Sequence, residues 1–316
     1  MSTKHLVLKS EPTNTHQQRE MSSRQNKYYA RNKFLDCSRV LNFVYMVSLL
    51  CLVFTNPSDA QKIYIITDLE GASGVYKWAQ IDNKDDRLNR EACEFFMKDL
   101  TAVIKGLQDG GAKEIFVFDG HGLQSVLPRL MVPGAKYLTG HPRPPGLLRF
   151  DSTYDGVVLL GFHAMMGTTD GVLNHTQNPE NGARYWYNGV ESGEIAQDAA
   201  KCGFFGVPVI MVTGDVATCR EATRFLGQAC VTVPVKEGIA RESAILYPLE
   251  ETYKAQYEGA KRAIAAIPKC KPYVLKTPIK AKKVFYYRSN SDLRFPVPKL
   301  VTEEWIIKGE PDFLEY

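Results

Sequence analysis

The sequence predicts an α/β fold: a three-layer, mainly parallel, Rossmann-like sheet with a smaller C-terminal α+β lobe. Three observations carry this. Short apolar runs at 63–66, 114–118, 156–160, 209–212 and 230–235 have the length and composition of buried strands. Stretches of helical periodicity separate several of them, and alternating strand and helix is the signature of a parallel sheet. Several runs also break off at glycine beside Asp, Glu or His, as strands do when they leave a sheet at a working edge.

Of 39 Lys and Arg and 35 Asp and Glu side chains, eight basic and four acidic ones fall in residues 1–60, which leaves 31 of each sign beyond. A neutral body argues against nucleic acid as partner, because phosphate binding needs a basic face. Residues 1–60 read as a leader: polar and basic to Arg39, apolar over 40–54, then Ser58-Asp59-Ala60 with small residues at a cleavage site. A fifteen-residue stretch interrupted only by Asn42 and Ser48 suits a signal-peptide core better than a membrane span. The expected location is therefore exported, periplasmic or secreted. An uncleaved membrane anchor is one alternative, and a start without targeting role, with a cytoplasmic protein, is the other.

Beyond the leader, two regions are expected: an α/β metal-binding catalytic domain over 61–240, and a long helix plus β-rich lobe over 241–316. The first strand at 63–66 runs into Asp68-Leu69-Glu70-Gly71-Ala72-Ser73-Gly74. The next helix carries Ala92, Phe95, Phe96, Leu100, Val103, Ile104 and Leu107 on one stripe and stops at Gly110-Gly111. The second strand ends in Asp119-Gly120-His121. Prolines at 142, 144 and 145 mark a loop, the third strand ends in Gly161-Phe162-His163, and a Gly- and Asn-rich segment holds His175. Asn188-Gly189 after an aromatic run reads as a hairpin turn. A helix follows over 192–202 with Glu194 in its first turn. The fourth strand leaves at Gly214-Asp215, a helix spans 217–226, and a long helix at about 248–267 precedes a β-rich tail over 273–307. Cysteines show no Cys-x-x-Cys spacing, so buried thiols are expected rather than a zinc ribbon.

Side chains two apart on extended backbone share a face, so Asp68 and Glu70 stand together and repel unless a cation lies between them. Read alone, the pair is more simply a strand end with an N-cap Asp and a solvated Glu. His121 and His163 could each be ordinary turn or core histidines, and Glu194 at a helix start is favourable without any metal. What sets them apart is convergence: in an open α/β sheet the carboxyl ends of the strands meet at one crevice. Three carboxylates and two imidazoles there suffice for two divalent ions, an arrangement that activates water. Asp215 could reach the same edge. No Gly-x-Ser-x-Gly elbow, His-Glu-x-x-His or phosphate-binding loop is present.

Asp68-Leu69-Glu70-Gly71-x-Ser73-Gly74, Asp119-x-His121, Leu160-Gly161-x-His163, Asn174-His175, and Gly193-Glu194 after Asn188-Gly189 together resemble the DppA-type D-aminopeptidases, which are zinc-dependent metallopeptidases. The similarity runs from about residue 62 to 267. It implies two zinc ions per chain, with Asp68 bridging, Glu70 and His121 on one ion, and His163 and Glu194 on the other. It implies His175 as the catalytic group, nucleophile or acid/base, of which acid/base is favoured here. It further implies short peptide substrates with N-terminal D-residues such as D-Ala-D-Ala, and a homo-oligomer. Rival readings are another dinuclear amidohydrolase or esterase, and an exported metal-containing peptide-binding protein without activity.

Overall fold

The computed structural model describes residues 61–82, 86–122, 125–287 and 298–309; the leader lies outside them. In chain order the elements are β1 (Gln61–Thr67), α1 (Trp78–Ile81), α2 (Asp86–Gly110), β2 (Ala112–Asp119), β3 (Lys136–Leu138), β4 (Gly156–Leu160), β5 (Arg184–Tyr187), β6 (Val190–Glu191), α3 (Glu194–Phe204), β7 (Val209–Asp215), α4 (Val216–Leu226), β8 (Val231–Ala240), β9 (Ser243–Leu246), α5 (Leu249–Ala266), β10 (Ile279–Tyr287) and β11 (Lys299–Ile307).

Seven strands form the main sheet in the order β3-β2-β1-β4-β7-β8-β9. All neighbours are parallel except β8 and β9. The central strand β1 shows why the sheet is covered on both faces. Ile63 and Ile65 pack into a core with Phe96, Leu100 and Ile104 of α2 and Ala260 and Ala263 of α5. Tyr64 and Ile66, pointing the other way, join a core with Ile195 and Ala199 of α3 and Ala222 of α4. The two-residue alternation of a strand thus feeds two cores, and the result is the expected three-layer arrangement.

A second, antiparallel sheet has the order β11-β10-β5-β6 and its own small core around Tyr185, Tyr187, Ile279 and Ile307. The smaller lobe is therefore not wholly C-terminal: it recruits the hairpin at 184–191 from the middle of the chain. The long helix α5 also differs from the expected grouping, because it packs beside α2 on the main sheet. Small residues permit that contact. A Cβ on Gly106 would stand 2.3 Å from the Tyr257 carbonyl oxygen, and one on Gly110 would stand 2.9 Å from Ile264. Two strands were not expected: β3, just before the proline-rich loop, and β9, which turns back on β8 as the sheet's antiparallel edge. Four of the five described cysteines are buried and all are free thiols.

Candidate metal centre

Parallel strands β1, β2 and β4 end side by side, and backbone bonds draw their exit loops closer still. Asp68 N–H donates to Leu160 O at 2.8 Å and Gly71 N–H to Gly161 O at 2.7 Å. Phe162 N–H donates to Thr213 O at 3.0 Å, which adds β7 to the same seam. Gly71 sits so close to β4's loop that a Cβ there would lie 1.8 Å from the Phe162 carbonyl oxygen. Gly161 has φ +75, and its own Cβ would meet Asp68 O at 2.3 Å. Glycine is required at both positions because nothing larger fits between two backbones.

The five predicted ligand positions and His175 come together at this seam. Asp68 presents one carboxylate oxygen to each of two imidazoles: Oδ1 lies 3.1 Å from His121 Nδ1, and Oδ2 lies 3.2 Å from His163 Nε2. Glu70 Oε2 is 3.2 Å from the same His121 nitrogen. Glu194, the first residue of α3, brings Oε1 to 3.5 Å from His163 Nε2 and 3.8 Å from His175 Nε2. His163 and His175 stack with ring centroids 3.9 Å apart and planes at 14°. Each of these two rings has Nδ1 against a carbonyl oxygen, Ala164 O at 3.0 Å and Leu173 O at 2.9 Å. A carbonyl only accepts, so Nδ1 carries the proton and Nε2 is left as the donor atom facing the cluster.

Charge in this cluster is out of balance. Burial works against ionised Asp68, yet His121 and His163 beside it hold its carboxyl far below the usual range. Burial also disfavours protonated His121 and His163, but the carboxylates around them outweigh it and push both imidazoles up. His175 goes the other way: burial and the neighbouring His163 hold it down and neutral. Two observations fit a bound cation. The buried Nε2 of His163, which faces Asp68 and Glu194, has no aligned hydrogen-bond partner. Donor atoms of Asp68, Glu70 and His163, and likewise of His163, His175 and Glu194, lie within 4.8 Å of one another. The second group places His175 Nε2 beside the ligands as well as beside the cavity.

Other strand-end residues turn out to shape loops. Asp119 accepts from Ser125 N–H and Oγ–H, Val126 N–H and Thr139 Oγ–H, and so folds the loop that presents His121. Asp215 caps α4 through Thr218 and accepts from Val172 N–H, which fixes the segment before His175. Asn174 is buried with its amide spent on Gly167 and Gly171, so the Asn-x-Thr pattern at 174–176 is not an exposed glycosylation site.

Four supporting residues went unnoticed in the sequence. Lys236 on β8 is fully buried and donates to Glu70 O, Ala72 O and Val75 O at 2.7, 2.9 and 2.6 Å. Asp99 on α2 accepts from Ser73 N–H and Oγ–H, both at 2.8 Å. Glu221 on α4 accepts from Met165 N–H at 2.8 Å, and burial pushes its carboxyl up to about 7. Trp78 stands edge-on to His175 with centroids 5.6 Å apart. For Asp99 and Glu221 the available signal was an acidic residue inside an otherwise apolar helix stripe.

A cavity of about 730 Å³ opens over the cluster, lined among others by Asp68, Glu70, Trp78, His121, His175 and Glu194. A larger hollow of about 940 Å³ lies at the opposite edge, where β1, β2 and β3 begin, and contains none of these residues.

Fold and cluster define the class: an α/β protein with a buried carboxylate–imidazole centre at the carboxyl edge of a mainly parallel sheet. The chain belongs to the peptidase M55 family of D-aminopeptidases, whose model matches residues 61–303. It is 29% identical to the D-aminopeptidase of Bacillus subtilis (strain 168) over 186 residues, 58% of this chain and 66% of that protein. The matched stretch is thus just under two thirds of the relative's length. Among solved structures it resembles the Zn-dependent D-aminopeptidase DppA from Bacillus subtilis, described as a self-compartmentalizing protease, with TM-score 0.71 and 21% identity. That match covers 80% of this chain and 93% of that one.

Proposed function

We propose that this protein is a zinc-dependent aminopeptidase for short peptides, with N-terminal D-residues such as D-Ala-D-Ala as the expected substrates. One observation carries the reading: Asp68 offers its two oxygens to His121 and His163 inside a buried cluster with Glu70 and Glu194, on the floor of a cavity large enough for a short peptide. Family membership and the Zn-dependent structural relative support it. Two ions per chain suit the donor set. Asp68 would be shared, Glu70 and His121 would complete one site, and His163 and Glu194 the other. When bound, zinc supplies a Lewis acid for the scissile carbonyl and lowers the pKa of a water toward ~7.

The chain's own residues do the rest. His163 and His175 keep Nε2 forward because their Nδ1 protons are held by Ala164 and Leu173 carbonyls. His175 is neutral, so its Nε2 is free to take a proton and return it to the leaving amine. Trp78 covers one side of that imidazole and limits water there. Export through the leader and assembly into a homo-oligomer complete the proposal, the first on leader composition and the second on the self-compartmentalizing relative.

The test is metal content of the purified protein with hydrolysis of D-Ala-D-Ala and L-Ala-L-Ala before and after chelation. About two zinc per chain with chelator-sensitive, D-selective turnover is the expected result. Metal without turnover of either isomer would move the reading to another amide hydrolase or a peptide-binding protein, and no metal would sink it. His175→Ala should keep the metal and lower kcat by about 10²–10⁴. Unchanged activity would remove His175 from the reaction.

A further inference from the structure

Resting on the peptidase reading above, we propose that Arg241 fixes the specificity of the cavity by binding the free C-terminal carboxylate of a di- or tripeptide. Five carboxylates line this cavity: Asp68, Glu70, Asp82, Glu180 and Glu194. Among the described residues Arg241 is the one lysine or arginine that joins them. Zinc held by Asp68, Glu70 and Glu194 would neutralise those three, so on the rest of the wall a substrate's carboxylate meets Asp82 and Glu180, which repel it. A single guanidinium on the wall reverses this at one place, and its planar donor fork matches a carboxylate in bidentate fashion.

Arg241 is held where it can do this. It occupies the tight turn between β8 and β9, and that turn is tied to both walls of the cavity. Its backbone oxygen accepts from Leu173 N–H at 2.7 Å, and Leu173 O in turn receives the His175 Nδ1 proton. The next residue, Glu242, accepts from Trp78 N–H at 2.9 Å. The guanidinium lies over the Trp78 ring, Cζ 5.0 Å from its centroid, and spends one donor on Pro179 O at 3.3 Å. The cation–π contact and the bond to Pro179 O hold the group in place and leave its other N–H donors for a ligand.

Distance selects the peptide length. Trp78 is 5.6 Å from His175 and 5.0 Å from the Arg241 guanidinium, so that group stands at most about 11 Å from the imidazole. Two or three extended residues span at most ~7–11 Å. A tripeptide with its amino end over the cluster covers that whole limit, and a dipeptide covers it to within about 1 Å once the ~3 Å hydrogen bond to the fork is added. A longer chain would place a neutral peptide group there instead and gain nothing from the guanidinium.

The experiment compares kcat/KM for D-Ala-D-Ala and for its C-terminal amide in the unaltered enzyme, Arg241→Gln and Arg143→Gln. Arg143 lines a neighbouring cavity on the other side of Glu194 and is the control. The unaltered enzyme should prefer the free acid by tenfold or more, mostly through KM. Arg241→Gln should bring the acid-to-amide ratio to near one, while Arg143→Gln should leave it in place. A ratio near one in the unaltered enzyme overturns the proposal. So does an Arg241→Gln variant that loses both substrates equally, because that is the mark of a merely structural role. So does a ratio that collapses in Arg143→Gln instead. Turnover of neither peptide form by unaltered, metal-loaded enzyme would overturn the peptidase reading itself, and this inference with it.

Discussion

Lys236 Nζ lies 2.7 Å from the carbonyl oxygen of Glu70, and the same ammonium also holds the carbonyls of Ala72 and Val75. A side chain from β8 thereby fixes the backbone of the loop whose carboxylates enter the cluster. Burial pulls the lysine down to about 8, against the raising effect of Asp215 and Asp99, so it remains charged at neutral pH. Three charge-assisted bonds in a dry setting are strong, and a buried carbonyl left without a partner is costly.

Lys236→Met should therefore cost about 3–5 kcal/mol of stability by denaturant unfolding. It should also lower metal occupancy, because the Glu70 loop loses its only described lysine anchor. Metal content is the discriminating measurement. A variant that is destabilised yet binds its full complement of metal would show that Lys236 supports the fold without placing the ligands.

Gly71→Ala tests the seam between β1 and β4. The alanine methyl would overlap the Phe162 carbonyl, an atom of backbone that cannot rotate aside. The two loops must separate, and they carry Asp68 and Glu70 on one side and His163 on the other. The expected cost is about 1–3 kcal/mol or more from overpacking, with weakened metal binding as the specific sign. Isothermal titration of the metal-free variant with zinc reads this directly. An affinity equal to the unaltered protein's would mean the loops tolerate the shift.

Much of the cluster was legible beforehand because parallel strands deliver their ends to one edge, so Asp68, His121 and His163 needed only short apolar runs and topology to be placed together. Glu194 and His175 depended on family resemblance, since a helix-start glutamate and a loop histidine look the same with or without a metal. Lys236 was hidden by register. β8 pairs Pro234 with Gly214 but Lys236 with Asp215, so Val235 is an extra residue in the ladder. That bulge turns both Val235 and Lys236 inward. Alternation counted along the sequence cannot reveal a bulge, and a lysine late in a strand reads as solvated. The packing of α5 was hidden for another reason. Its apolar stripe suits any partner, and only the small residues Gly106 and Gly110 on α2, facing Tyr257 and Ile264, name the right one. Arg241 was missed with the β9 hairpin that presents it, because exposed Ile245 and Leu246 blur the alternation of that strand.

Asp99 gives a pH signature separate from the cluster. Burial pushes its carboxyl up from 3.8 to about 6, although Ser73 and Gln256 donate to it and oppose the shift. A group raised on folding binds more protons in the native state between the two values. Its contribution to stability is therefore complete below about pH 4 and lost as pH rises through about 6. A shift of this size corresponds to on the order of 3 kcal/mol. Asp99→Asn cannot titrate, so the stability difference between unaltered protein and variant should shrink by up to that amount from pH 4 to pH 7. Glu221 is raised in the same direction and is common to both proteins, as is the cluster, so their effects cancel in the difference. Chemical denaturation of both proteins in chelator across this range makes the measurement. A pH-independent difference would mean that Ser73 and Gln256 keep Asp99 ionised throughout, and that the loop carrying Asp68 and Glu70 is braced by a permanent charge.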